Sequence, residues 1–213
     1  MARTKSPGKK PSRRYHHGNL RRALLDEALA TIHTEGVEGL TLREIGTRLG
    51  VSRTALYRHF ADKGALLEAV ATDGFRTLRL ELLGAWEAGG HGIAGFDQMG
   101  VAYVRFAVAN PAHYRVMFGR FVEPSSRMPE LATEAAGALN ALVDALIALQ
   151  REELVRRDEP MTQARFVWAL VHGVAMLAID GQLREPDAID TLTRYALERL
   201  DVGIAARHDR APA

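Results

Sequence analysis

The stretch that most constrains this chain is TLREIGTRLGVSRTALYRHF, from Thr41 to Phe60, which reads as two short helices locked across a tight turn. Thr41 and Glu44 stand in the T-x-x-E spacing of a capping box. There the hydroxyl accepts from the backbone amide three residues on, and the carboxylate reaches back to the cap's own amide. Leu42, Ile45 and Leu49 then recur at helical spacing on one face, Gly50 supplies the left-handed residue that ends the helix, and Ser52 is placed to cap the next one. The chain therefore turns sharply between two helices.

In the second of these helices Leu56 and Phe60, with Val51 just ahead, face a core, which leaves Arg53, Thr54, Tyr57, Arg58 and His59 for the other faces. Arginine forks onto guanine, Ser and Thr bond base edges or phosphates, and Tyr and His donate to phosphate oxygens. A short exposed helix carrying this set suits a major groove about 12 Å wide. A helical hairpin with a merely solvated polar face would explain the apolar spacing, but not the agreement of caps, turn glycine and residue choice.

Charge is distributed to match. The net charge of +2 divides into 13 Lys and Arg against 6 Asp and Glu from Met1 to Ala65, and 15 against 20 in the remainder. The basic end is the end expected on nucleic acid. No acidic residue precedes Asp26, and residues 1–14 read as a disordered basic arm rich in Pro and Gly. For Met1 to Pro11 a solubilising tail is the alternative, whereas Arg13 and Arg14 lie nearest the folded part and are the better candidates for phosphates or an adjacent minor groove.

With 213 residues, 47% of them apolar, the chain is long enough for one ordinary domain and a second small one. It has no cysteine, which excludes disulfides, thiolate chemistry and cysteine-bearing zinc sites. No window approaches 18 uninterrupted apolar residues, and the polar start does not resemble a secretory signal, so a cytoplasmic location and no membrane partner are expected.

The rest parses into helices with nothing resembling a strand run. Asn19 caps a first helix from Leu20 to about Thr34, and Asp62 caps a long helix running to about Trp86, where GGHG breaks it. Its N-terminal amides and Lys63 sit where a phosphate is favoured. Further helices are expected near Phe96 to Ala109, Ala112 to Phe121, Pro129 to Arg157, Thr162 to Asp180 and Asp187 to Leu200, separated at prolines. The last two are apolar over arcs too wide for one small subunit to cover, which points to a subunit interface.

The run YHHGNLRRALLDEALATIHTEGVEGLTLREIGTRLGVSRTALYRHFADKGALLEAV closely resembles the N-terminal DNA-binding domain of the tetracycline-repressor (TetR) family of bacterial transcription regulators. Farther on, W-x-x-x-H-G at Trp168, His172 and Gly173, with NPAHYRVMFG from Asn110, resembles the C-terminal domain of one branch of that family. The resemblance implies an all-α fold. An N-terminal three-helix helix-turn-helix domain over 15–65 would be joined by a long helix to a helical ligand-binding and dimerisation domain over 66–204, followed by a flexible tail over 205–213. It also implies a homodimer on a palindromic operator in double-stranded DNA, with repression relieved by a small molecule. Carried over residue by residue, Thr41, Ser52, Arg53, Thr54, Tyr57, Arg58, His59 and Lys63 occupy the DNA-contacting positions, with Tyr57, His59 and Lys63 mostly on phosphate. Gly46 stands where the family more often has alanine, and Gly64 replaces a residue that is commonly acidic.

Eight histidines invite a search for catalysis, but no H-E-x-x-H, G-x-S-x-G or phosphate-cradling glycine loop occurs. No enzyme activity, cofactor or metal is expected. For an effector the sequence offers a neighbourhood: Tyr103, Phe106, Met117, Phe121, Phe166 and Trp168 supply aromatic and polarisable surface, with His172 as a polar anchor or a satisfied buried histidine. Two functions stay open, a ligand-responsive regulator and a constitutive dimeric DNA-binding or architectural protein whose C-terminal half has no effector pocket.

Overall fold

The computed structural model describes residues 20–121, 129–185 and 187–206; the basic arm with Arg13 and Arg14, the cap position Asn19 and the tail from residue 207 lie outside them. The described residues form nine helices: α1 Leu20–Glu35, α2 Leu42–Leu49, α3 Arg53–His59, α4 Lys63–Ala88, α5 Gly92–Ala109, α6 Pro111–Phe118, α7 Pro129–Arg151, α8 Pro160–Ile179 and α9 Ala188–Ile204. The only β pairing among them is an isolated antiparallel bridge between Val155 and Ala205. The fold is all-α.

The head is built as the local signals require. Ser52 Oγ accepts from the Ala55 amide at 3.2 Å, Asp62 Oδ1 accepts from the Ala65 amide at 2.8 Å, and Gly50 ends α2 with φ 66°, a left-handed conformation that costs glycine little. The capping box is half realised. Thr41 Oγ1 accepts from the Glu44 amide at 3.3 Å, but the Glu44 carboxylate takes the Thr41 hydroxyl at 2.7 Å rather than the cap's backbone amide. Leu24, Ile32, Leu40, Ile45, Leu56 and Leu66 close the head core. At Gly46 a Cβ would meet Leu56 Cδ1 at 2.9 Å, so the glycine sets the closeness of the α2–α3 crossing.

Helix ends in the body depart from the expected ones where long-range packing decides. α5 begins at Gly92, four residues ahead of Phe96, because the chain reverses within Gly90 (φ 73°), His91 (φ 65°) and Gly92 (φ 58°). The His91 ring then stacks on Trp86 at 5.1 Å, and its carbonyl accepts from the Gly95 amide at 2.9 Å. α6 stops at Phe118 as Gly119 turns extended, so Phe121 lies beyond the helix. α7 stops at Arg151: the chain turns at Glu153 (φ 59°) and buries Val155, while the Arg156 amide donates to Ile204 O at 2.8 Å. That pairing also accounts for the longer α9. Pro160 does not separate helices but opens α8, where its ring is preorganised for the first turn. The Glu159 carboxylate caps this helix by accepting from the Met161 and Thr162 amides at 3.0 and 2.6 Å, and hydrogen bonding from the Thr162 side chain, then from these amides, holds its pKa below the usual value.

α4 runs through the body, packed against α5, α6 and α7. Arg76 on α4 reaches Glu134 at 3.0 Å and Glu130 at 2.6 Å on α7, and Arg79 shares Glu134 at 3.1 Å. α7 and α8 are long and apolar enough to cross a membrane by length and composition, and here they pack against each other, α7 also against α4 and α5 and α8 also against α5 and α9. The boundary between 65 and 66 falls inside α4, and buried side chains run without a break from Leu24 on one side of it to Ile204 on the other.

Candidate nucleic-acid interface and interior cavity

α3 buries one side chain, Leu56, and exposes Arg53, Thr54, Tyr57, Arg58 and His59, with Ser52 exposed at its cap. The Arg53 guanidinium lies 5.5 Å over the Tyr57 ring, a cation–π contact that orients it along the helix surface. Thr41 is exposed at the start of α2. Lys63 is half-buried at the start of α4 and donates to the Glu38 carbonyl at 3.3 Å, which ties the bridging helix to the α1–α2 connection and leaves the ammonium two further N–H groups.

Not every cation of the head is available. Arg48 donates to Glu35 at 2.6 Å, Thr31 at 3.1 Å and Glu27 at 3.4 Å, and its hydrogen bond to Glu35 leads the causes that raise its pKa. It fastens α2 onto α1. Arg43, which sequence reasoning passed over, is exposed on α2 one residue inside the buried Leu42. Its signal was the cation next to the cap, on the same short helix as Thr41.

Inside the body lies a cavity of about 250 Å³, walled by α4, α5, α7, α8 and α9 and by Phe118 of α6. Tyr103 and Trp168 line it, as does a set that the sequence did not assign to an effector site: Phe75, Leu82, Phe96, Met99 and Val171 among them. Four residues expected there are elsewhere. Phe106 is 1% exposed in the packed core, and Met117 fits under Gly74 of α4. Phe121 is half-exposed beyond α6, and Phe166 is 58% exposed on the outer face of α8. An apolar periodicity marks a face that avoids water; it does not say which face meets empty space.

His172 does not line the cavity but stands behind Tyr103 in a polar cluster. Trp168 Nε1 donates to Tyr103 Oη at 2.9 Å. Tyr103 Oη and Tyr114 Oη are 2.9 Å apart. Nδ1 of His172 lies 2.6 Å from Tyr114 Oη and 3.1 Å from Tyr103 Oη. Burial pushes the Tyr103 hydroxyl up to about 12, against the hydrogen bonds of Tyr114 and Trp168. Burial, then the neighbouring Tyr103, raises Tyr114 also, and burial lowers His172. The whole cluster is therefore neutral around neutral pH.

Comparison with known proteins agrees with this geometry. Residues 24–70 match the model for bacterial regulatory proteins of the tetR family, and residues 96–200 match a tetracyclin repressor-like C-terminal domain. The tetracycline repressor protein class C of Escherichia coli is 49% identical over 51 residues, 24% of this chain and 23% of that protein, so the curated relatives of this kind are matched over about a quarter of their length. A solved structure from Rhodococcus sp. RHA1, described as a protein of unknown function, is 32% identical with a TM-score of 0.80, covering 91% of this chain and 99% of that one. A bacterial regulatory protein in the tetR family, also from Rhodococcus RHA1, shares the fold at 19% identity and a TM-score of 0.64, over 88% and 97% of the two chains. An exposed helix-turn-helix on a helical body is the plan of a DNA-binding regulator. The chain belongs to the tetracycline-repressor family of transcription regulators.

Proposed function

We propose that this regulator is a repressor that binds a palindromic operator in double-stranded DNA as a twofold dimer, in the cytoplasm, and is released when a small apolar effector occupies the cavity. The reading assigns the chain no catalytic step. The observation that carries it is that cavity and head share helices. α4 supplies Phe75 and Leu82 to the cavity wall and also begins in the head. α6 supplies Phe118 to the same wall while His113 and Met117, on either side of Tyr114, rest on Gly74 of α4 and the helix packs against α1. A ligand that displaces α6 or the lower half of α4 thus moves the recognition helices and spoils their groove spacing.

Dimerisation is supported by the outer face of α8. Phe166, Leu170, Gly173 and Leu177 recur on one side of that helix, and Phe166 and Leu177 are exposed. On α9, Tyr195 and Val202 continue the exposed apolar surface. Two such pairs meeting across a twofold axis would bury both and set the recognition helices on half-sites about one turn, roughly 34 Å, apart.

The test is a closed cycle. An operator is selected from random duplexes with the full-length chain, apolar compounds are screened by thermal shift, and each hit is titrated with and without operator. Operator affinity is expected to fall about 5- to 150-fold with effector, and effector affinity by the same factor with operator. Hits that raise the melting temperature and leave operator affinity unchanged would establish the constitutive DNA-binding reading instead.

A further inference from the structure

The cavity is polar at one point, and that point has a definite hydrogen-bond sense. Of its fifteen lining residues only Tyr103 and Trp168 carry a side-chain nitrogen or oxygen, and none is charged. The Trp168 indole N–H can only donate, and it donates to Tyr103 Oη. A phenol is the better donor and a neutral imidazole nitrogen the better acceptor, which puts the His172 ring proton on Nε2; Nδ1 then accepts one hydrogen bond, and the 2.6 Å contact from Tyr114 takes it in preference to the 3.1 Å contact from Tyr103. The Tyr103 proton then goes to Tyr114 Oη at 2.9 Å.

The relay therefore runs one way, from Trp168 to Tyr103 to Tyr114 to His172, and every donor facing the cavity is engaged within it. What is left over is an acceptor. Tyr103 Oη accepts one hydrogen bond, donates one, and keeps a second lone pair. A carboxylate entering this space would lose its water and find neither a cation nor a free donor. A ketone or ether would find no donor unless it broke the relay. A hydroxyl or N–H would meet an oxygen ready to accept.

Resting on the effector reading above, we infer that the cavity selects an uncharged, mainly apolar molecule whose one polar group is a hydrogen-bond donor delivered to Tyr103 Oη, and that it rejects carboxylates of the same shape. Size sets a further limit. A cavity of roughly 150 Å³ holds benzene, so one of about 250 Å³ holds roughly ten non-hydrogen atoms. The burial that keeps Tyr103 and Tyr114 from ionising and His172 from taking a proton keeps the relay intact around neutral pH.

Four probes on one ring system decide it: naphthalene, 2-naphthol, 2-methoxynaphthalene and 2-naphthoate, titrated calorimetrically into the full-length chain at neutral pH. The expected ranking has 2-naphthol roughly 3- to 10-fold tighter than naphthalene, as one net hydrogen bond allows. The methoxy compound should be no tighter than naphthalene, and the carboxylate about 100-fold weaker or silent. Tyr103→Phe removes the acceptor and frees the Trp168 N–H, so the preference for naphthol over the methoxy compound should shrink to within about 2-fold. If that variant does not melt cooperatively, the ranking on the unaltered chain decides alone. The proposal is overturned if naphthoate matches naphthol, if the methoxy compound does, if the preference survives in Tyr103→Phe, or if no probe binds. Naphthol that binds in the expected rank without releasing operator would refute the repressor reading and leave the ligand class standing.

Discussion

Arg22 on α1 donates through Nη1 to Asp73 Oδ2 on α4 at 3.3 Å, a link between the head and the middle of the bridging helix. The same carboxylate oxygen lies 3.6 Å from Nε2 of His113 on α6. Arg22 is half-exposed, so the pair adds well under 1 kcal/mol to stability. Its value is positional: the helix that lends Phe118 to the cavity sits against the carboxylate that holds the head. Burial keeps the His113 ring mostly neutral, outweighing Asp73, so the contact does not depend on a charged imidazole at neutral pH.

The seat of α6 can be disturbed at one atom. A Cβ at Gly74 would stand 2.5 Å from Met117 Sδ and 3.3 Å from His113 Cβ. The thioether can swing away, but the His113 Cβ moves only with its helix. Gly74→Ala is expected to cost about 1 to 3 kcal/mol in overpacking, offset in part by about 1 kcal/mol of helix propensity, and to weaken the coupling between effector and operator. Thermal melts with paired operator titrations measure both, and a variant with full stability and full coupling would show that α6 is not seated there.

DNA contacts should divide into two kinds. Arg53→Ala is expected to lose roughly 1 to 3 kcal/mol and relax preference at one operator position, whereas Lys63→Ala should weaken all sequences alike and flatten the salt slope by about one unit. Anisotropy titrations on operator and scrambled duplexes at several salt concentrations separate the two. Equal losses on both duplexes for Arg53→Ala would move it to the phosphate set.

Testing the proposed dimer by substitution requires an outward residue. Ala175 belongs to the apolar arc of α8 but is fully buried, so arginine there would overpack the core. Gly173 is exposed, and a Cβ at that position would meet nothing within 4 Å. Gly173→Arg should leave the fold intact, since arginine is the better helix former by roughly 0.8 kcal/mol, and give a monomer by light scattering. A variant that remains dimeric would place the interface elsewhere.

Asp97 on α5 and Asp201 on α9 face each other, each with Oδ1 buried and without a partner among the described residues. Burial, then the opposing Asp97, pushes the Asp201 carboxyl up to about 6, and burial raises Asp97 as well. A raised carboxyl binds its proton more tightly folded than unfolded. Its contribution is therefore complete below about pH 4, the unfolded value, and is lost as pH rises through about 6. Asp201→Asn, which keeps a donor toward Asp97, is expected to melt about 2 to 4 °C above the unaltered chain at neutral pH, near 1 kcal/mol after solvent screening, with the gap closing below about pH 4. Parallel melting curves across that range would rule out a raised carboxyl at Asp201.

The head was legible because its signals are short. Thr41, Gly50, Ser52 and Asp62 each act on a backbone group within about four residues, and a cap works wherever the helix it starts is placed. Even there Glu44 chose the Thr41 hydroxyl over the amide, since both lie within reach of one carboxylate. The body was legible as helices but not as a site. Phe166 and Phe96 are alike as letters in an apolar run. Which one faces solvent and which the cavity depends on how α8 and α5 are rotated against α4, α7 and α9. The early stop of α7 likewise hangs on Val155 meeting Ala205, fifty residues on. Local backbone chemistry, carried by neighbours in the chain, determined where helices begin and which of them could enter DNA. Helix rotation and the space left between helices are set by contacts among residues far apart in sequence, so only the tertiary structure decided the cavity, its relay from Trp168 to His172, and the seat of α6 on Gly74.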